Sequence, residues 1–285
     1  MPRTELILHS NKRNAGTNEK PEFVLEPFIS NPTKISINQV CIPNTMYVIN
    51  ETNDTLWWGE YTQDPNDNTY PELDRDDFNV AMTHGTYTPT SLITEITSKV
   101  NQSSLQSLGG SNSNFTKALM YNESSMKFTF AITGSATPKM VIYGSQAHIL
   151  DRIPPTSYTN NIADILGFTG VDIHQMNTQH TAESIANLTS PPHLLLKSKS
   201  LGSALQTNNY TNGKMVGDVL LAVPITDNFG AFVHYEKKLD LHFNLDYNGR
   251  KLQLIDFELF NPTTNKTANL NGLPFTIVLE VSFLG

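Results

Sequence analysis

Hydrophobic residues recur at every second position through much of this chain, which is the period of half-buried β-strands. Phe23 and Leu25, then Ile35 and Ile37, alternate with polar neighbours, and Asn31-Pro32-Thr33 marks the turn between them. Val219, Leu221, Val223 and Ile225 share one parity, as do Leu239, Leu241, Phe243 and Leu245, with Asp240, His242, Asn244 and Asp246 on the other face. Tyr247-Asn248-Gly249-Arg250 reads as a hairpin turn, with Leu252 to Phe260 as the returning partner strand. Asn269-Leu270-Asn271-Gly272 turns the chain into Phe275, Ile277, Leu279, Val281 and Phe283, an alternation expected to be locked inside a sheet because a free apolar edge invites aggregation.

One stretch breaks its own rhythm. In QVCIPNTMYVIN (39–50) the bulky residues Val40 and Ile42 take the parity opposite to Ile35 and Ile37, which implies a bulge or burial on both faces. Pro43 has no N–H, so the ladder must break or reach an edge there. Asn44 and Thr45 have side chains suited to bridging the gap, and Cys41 reads as a small, inert core residue.

Two short helices interrupt the strands. Thr88 is an N-cap before Pro89, and Leu92, Ile93, Ile96 and Val100 fall on one helical face. Asn161 caps a second helix that packs Ile162, Ile165 and Leu166 inward and stops at Gly167. Between them KALMYNESSMKFTFAIT (117–133) reads as a hairpin with Met126, Phe128, Phe130 and Ile132 inward, preceded by a Ser/Gly/Asn loop over 101–114. Residues 1–20 are polar and read as an N-terminal arm. Together these signals give an all-β sandwich with insertions.

Composition narrows the chemistry. The chain has 285 residues, 38% hydrophobic but only 16% charged, with a net charge of -8. That balance speaks against a sequence-independent nucleic-acid binder, which needs clustered Lys and Arg. A single cysteine excludes an internal disulfide and any Cys-based zinc site. The start MPRTELILHSNKRN has no apolar core of a secretory signal, so none is expected, and no run is long enough to span a bilayer.

Catalytic patterns fail in turn. Asn212-Gly213-Lys214-Met215 lacks the upstream glycine and the following Ser or Thr of a phosphate loop. Asp64, Asn66 and Asn68 match the first ligand positions of a calcium loop, but Thr69 replaces the needed glycine and Arg75 the bidentate Glu, so 64–77 reads as a solvated acidic loop. His174 with His180, and His234 with His242, have no ligand spacing. The expectation is no enzyme, no metal and no cofactor. The only tryptophans, Trp57 and Trp58, are adjacent in a strand and therefore point to opposite faces. Either one faces outward as a hot spot for a partner subunit, or both are shielded by the insertion.

The ordered series HSNKRNAGTNEKPEFVLEP, ISNPTKISINQVCIPNTMYVIN, GTYTPTSLITEI, IADILGF, HLLLKS, AVPITDNFG and LNGLPFTIVLEV resembles the single-jelly-roll minor capsid proteins, or penton proteins, of virophages, polinton-like viruses and related double-stranded DNA viruses. The resemblance implies a jelly-roll sandwich of two antiparallel sheets over 21–285, carrying an inserted, mostly β region roughly within 60–190. It implies a homopentamer at the icosahedral vertex of the virion, beside a double-jelly-roll major capsid protein. A host receptor or spike is a further implied partner. Contact candidates between subunits are Arg3, Lys12 and Arg13 of the arm, Pro43 at the strand break, and Trp57 and Trp58. The alternative is a viral spike or receptor- or carbohydrate-binding jelly roll, for which Trp57-Trp58 and the 64–77 loop would supply an aromatic and acidic site.

Overall fold

The computed structural model describes residues 3–62, 76–102, 115–134, 138–144, 160–169, 173–176, 178–202, 210–211, 214–215, 218–237, 244–246 and 251–283. The chain divides into two compact units, Met1–Met46 with Ser190–Gly285, and Tyr47–Thr189.

The first unit is the jelly-roll sandwich. One of its sheets runs in the order Arg3–His9, Thr276–Phe283, Pro32–Pro43 and Phe232–Glu236, with Asn244–Asp246 also on Pro32–Pro43. Each neighbouring pair is antiparallel. Two ladders form the second layer. Pro21–Ile29 lies between Ala15–Gly16 and Leu252–Asp256, while His193–Lys197 lies between Val219–Pro224 and Glu258–Asn261. Phe257 joins them: its N–H donates to the Pro21 carbonyl at 3.0 Å, and the Leu259 N–H donates to Glu19 O at 2.9 Å.

The alternation explains why the two layers close on each other. Ile277, Leu279 and Val281 of the C-terminal strand, with Ile35, Val40 and Ile42, share one core with Phe23, Leu194, Leu196, Val223, Ile255 and Leu259. Burial of these side chains is non-directional, so it selects the pairing of faces, while the ladders select the register.

The phase change around Gln39 is a bulge. Val278 pairs with Gln39 but Leu279 pairs with Ile37, leaving Asn38 out of that ladder and turning Val40 and Ile42 to the core. Pro43 ends the strand. Beyond it the Asn44 N–H donates to Ala231 O at 2.8 Å, Asn44 Nδ2 to Asp227 O at 2.7 Å, and Thr45 Oγ1 to Leu270 O at 2.7 Å. These bonds hold the chain through the gap that proline leaves.

Three expectations for this unit are corrected. Residues 3–20 are tied into the sandwich: Arg3–His9 is a strand paired over all seven residues with Thr276–Phe283, and its Leu8 is buried in the core. Leu252–Phe260 is not the partner of a 239–245 strand. Leu252–Asp256 pairs with Pro21–Ile29, and Asn244–Asp246 pairs with Pro32–Pro43, so consecutive segments enter different sheets. The turn at 247–250 and most of 239–245 lie outside the described residues. Cys41 is half-buried and faces away from Val40 and Ile42, with its Sγ 4.0 Å from His234 Nε2. A third short helix, Lys199–Gly202, was not expected.

In the second unit one sheet runs Ile173–Met176, Pro138–Tyr143, Thr55–Thr62, Asp76–Ala81, and the other Gln179–Thr181, Lys127–Gly134, Phe115–Asn122. Helix Pro89–Gln102 is started by Thr88, whose Oγ1 accepts from Ser91 N at 3.2 Å while Ser91 Oγ accepts from Thr88 N at 3.0 Å. Its Leu92, Ile96 and Val100 are fully buried beside Leu119, Phe128 and Phe130. Asn161 Oδ1 accepts from Ala163 N at 2.9 Å at the start of helix Ala163–Leu166, and Gly167, with φ 89°, ends it. Met126 is a correction. It has φ 53° in the hairpin turn and is exposed, whereas Phe128, Phe130 and Ile132 face inward as expected.

Candidate subunit-contact surface

The sequence candidates separate according to what each strand or turn does with its side chains. Arg3 is exposed on an edge strand, and its Nη1 lies 3.3 Å from Glu280 Oε1 on the neighbouring strand. Lys12 is exposed in the short 3-10 turn Ser10–Lys12. Arg13 is turned back on its own chain. Its Nε donates to Gly16 O at 2.8 Å, and its Nη1 donates to Ser10 O at 3.0 Å and Asn18 Oδ1 at 2.6 Å. Asn18 in turn donates to Gly272 O at 2.6 Å, so Arg13 staples the 10–18 turn to the turn before the C-terminal strand.

Pro43 and Trp58 are both buried within this chain. Trp58 is wholly buried, stacked on Phe78 at 5.6 Å between ring centroids. Its indole N–H donates to Glu60 Oε1 at 2.7 Å. Trp57, on the other face of the same strand, is half-buried. Parity thus separates the pair, and Trp57 alone keeps an outward side.

Sequence reasoning missed the charged pair beneath Trp58. Glu60 Oε1 lies 2.8 Å from Lys117 Nζ, with both side chains essentially without solvent contact. Burial pushes the Lys117 ammonium below its ordinary value, and the bond to Glu60 opposes that shift. The signal was available: Glu60 shares the parity of Trp58, and Lys117 that of Leu119.

Two apolar side chains on the edges of the first sheet were also missed. Ile7 is 60% exposed and Phe232 is 55% exposed. Ile7 stands between Leu6 and Leu8, and Phe232 between Ala231 and Val233, so no polar alternation marks their outward face in the sequence.

Possible chemistry elsewhere is weak. Burial pushes the Cys41 thiol upward, so it is no activated nucleophile. An open cleft in the first unit is lined by Lys20, Lys197, Asp218, Leu254, Asp256 and Glu258. Burial raises Asp256, but bonds from the Ser200 hydroxyl and from the Lys199 and Ser200 N–H groups outweigh it and hold the carboxyl below its ordinary value. Those bonds cap helix Lys199–Gly202, so the carboxylate is structural. His180 pairs with Glu183 at 2.8 Å. Among the described residues no group of three or more His, Cys, Asp or Glu is placed to hold a metal, and no helix is long and apolar enough to cross a membrane. The acidic loop lies outside the described residues except for Asp76 and Asp77.

These features define an all-β, jelly-roll-like protein whose chain divides into two compact units. Among solved structures it is similar to the penton protein of mavirus, at a TM-score of 0.50 and 9% identity over 99% of this chain and 100% of that chain. No family model matches the chain, and no curated protein matches it. At this identity the likeness is one of fold.

Proposed function

We propose that this chain is a minor capsid, or penton, protein: a structural virion protein whose pentamers close the vertices of an icosahedral double-stranded DNA virus capsid. The observation that carries the reading is the extent of the fold likeness, which spans nearly the whole of this chain and all of the mavirus penton protein. Likeness over one sheet pair would be common to many jelly rolls; likeness over both units is more restrictive.

In this reading the work is contact and shape. A pentamer is a heterologous ring in which one patch of each subunit meets a different patch of the next, with about 1,000 Å² or more buried per stable contact. The first unit makes the ring and abuts the double-jelly-roll major capsid protein. The second unit is the outward insertion, and Trp57 is its candidate for contact with a receptor, spike or neighbour. Arg3 and Lys12 remain contact candidates of the first unit, while Arg13 acts by holding the 10–18 turn. A receptor- or carbohydrate-binding jelly roll is the weaker reading, since burial of Trp58 removes half of its aromatic platform. Mass photometry of the purified chain tests the proposal. A species at five times the chain mass supports it, and a stable monomer or trimer overturns it.

A further inference from the structure

The sheet with the order Arg3–His9, Thr276–Phe283, Pro32–Pro43 and Phe232–Glu236 has two outer edges. Among the described residues no strand pairs with the outer side of either edge strand. Antiparallel ladders alternate, so each residue turns its N–H and C=O to one neighbour and the next residue to the other. Ser10 N donates to Phe275 O at 2.9 Å, continuing the register of the first edge. Leu8, Leu6 and Thr4 therefore face Thr276–Phe283, and Ile7, Glu5 and Arg3 point their backbone groups outward. Lys237 N donates to Asn38 O at 2.9 Å, continuing the register of the other edge. By the same count Phe232, His234 and Glu236 point theirs outward.

Each strand of this sheet is antiparallel to the next, so the two edge strands run in opposite directions. A second copy placed head to tail would thus bring its Arg3–His9 antiparallel to Phe232–Glu236 of the first. One register matches both the backbone donors and the side chains. It sets Arg3 against Glu236, Glu5 against His234, and Ile7 against Phe232. The last two are the exposed apolar residues of these edges, at 60% and 55%. Glu5 also stands directly opposite Glu280 in its own sheet, a like-charge pair, and a hydrogen-bond donor such as the His234 ring on its open side would relieve it.

We infer that the edge strand Arg3–His9 adds to the Phe232–Glu236 edge of a second copy of this chain, joining neighbouring jelly rolls into one continuous antiparallel sheet. The inference rests on the ring proposed above and specifies which patches meet in it. Backbone pairing supplies the attachment, the Ile7–Phe232 contact supplies apolar burial, and the Arg3–Glu236 charge pair with the Glu5–His234 polar contact sets the register. Such an addition also answers why two open edges persist in this sheet without the prolines or bulges that usually blunt them.

The test uses full-length chain carrying R3E, E236R or both, read by mass photometry and thermal melting beside the unsubstituted protein. Each single swap is expected to weaken self-association by about tenfold, and the double swap to restore it. A second arm places cysteines at Ile7 and Phe232 in a Cys41→Ser background. The two positions lie three strand spacings apart across the sheet and four residues apart along it, about 20 Å within one chain, so a disulfide between them links different chains. Oxidation is expected to give a ladder of linked subunits on a non-reducing gel. A ring that survives both single swaps and yields no ladder overturns the edge contact while leaving the ring intact. Absence of any oligomer in the unsubstituted protein overturns the ring itself, and the edge contact with it.

Discussion

The two units bury polar groups differently. Among the described residues of the jelly-roll unit the buried polar ones are small and neutral: Ser10, Ser36, Asn44, Ser198 and Ser282. The second unit buries a full ion pair, Glu60 with Lys117, under Trp58. A buried pair must offset the desolvation of two charges, and Glu60 Oε2 has no hydrogen-bond partner among the described residues. Apolar burial thus suffices to define the sandwich, whereas the second unit holds a contact that is strong only while both partners are present.

The largest expected effect follows from breaking that pair. Glu60→Leu leaves Lys117 buried and uncompensated and should cost about 3–5 kcal/mol in denaturant unfolding of the second unit. Adding Lys117→Met should recover most of the loss. Both tryptophans lie in this unit, so their fluorescence reports on it selectively. If the double variant is no more stable than the single one, the pair is not what distinguishes the two cores.

A cavity in the sandwich should follow closely. Leu279 is fully buried on the strand between Arg3–His9 and Pro32–Pro43, and Leu279→Ala should cost about 2–5 kcal/mol. That loss should appear in the circular dichroism transition with little change in the tryptophan signal. Coincident shifts in both probes would erase the contrast between the units.

A smaller effect is expected at Asn161, whose Oδ1 accepts from Ala163 N at 2.9 Å and whose Nδ2 donates to Tyr143 O at 2.7 Å. Asn161→Ala should cost about 1–2 kcal/mol, read by tryptophan fluorescence alone.

The smallest effect is the pH response of Lys117. Its folded value is depressed below the ordinary 10.5, so between the two values the unfolded chain binds more protons than the folded one. Lys117 therefore withholds stability at neutral pH and releases it as pH rises through that window. Relative to Lys117→Met, the unsubstituted second unit should gain stability on going from neutral to alkaline pH. A flat difference between the two proteins would remove the buried charge from the account.

Local pattern made much of this fold legible. The parity change from Ile37 to Val40 located the Asn38 bulge, Pro89 located the helix start, and the Phe275–Phe283 alternation located the central strand of a sheet. What stayed hidden depends on partners far along the chain. Arg3–His9 looks polar because its mate is Thr276–Phe283, at the other end of the sequence. Leu252–Asp256 looked like half of a local hairpin because nothing nearby reveals a strand crossing to the other layer. Met126 fitted the strand parity but fell in a turn whose positive φ no alternation signals. For the contact candidates, parity said that Trp57 and Trp58 diverge, but only packing against Phe78 decided which was buried. Pro43 ends its strand, as its missing N–H requires, and is buried within this chain.

The most direct test of the central claim is electron microscopy of the purified full-length chain. The account predicts class averages of a fivefold ring with one jelly roll per subunit. Isolated monomers, or particles with threefold symmetry, would contradict it.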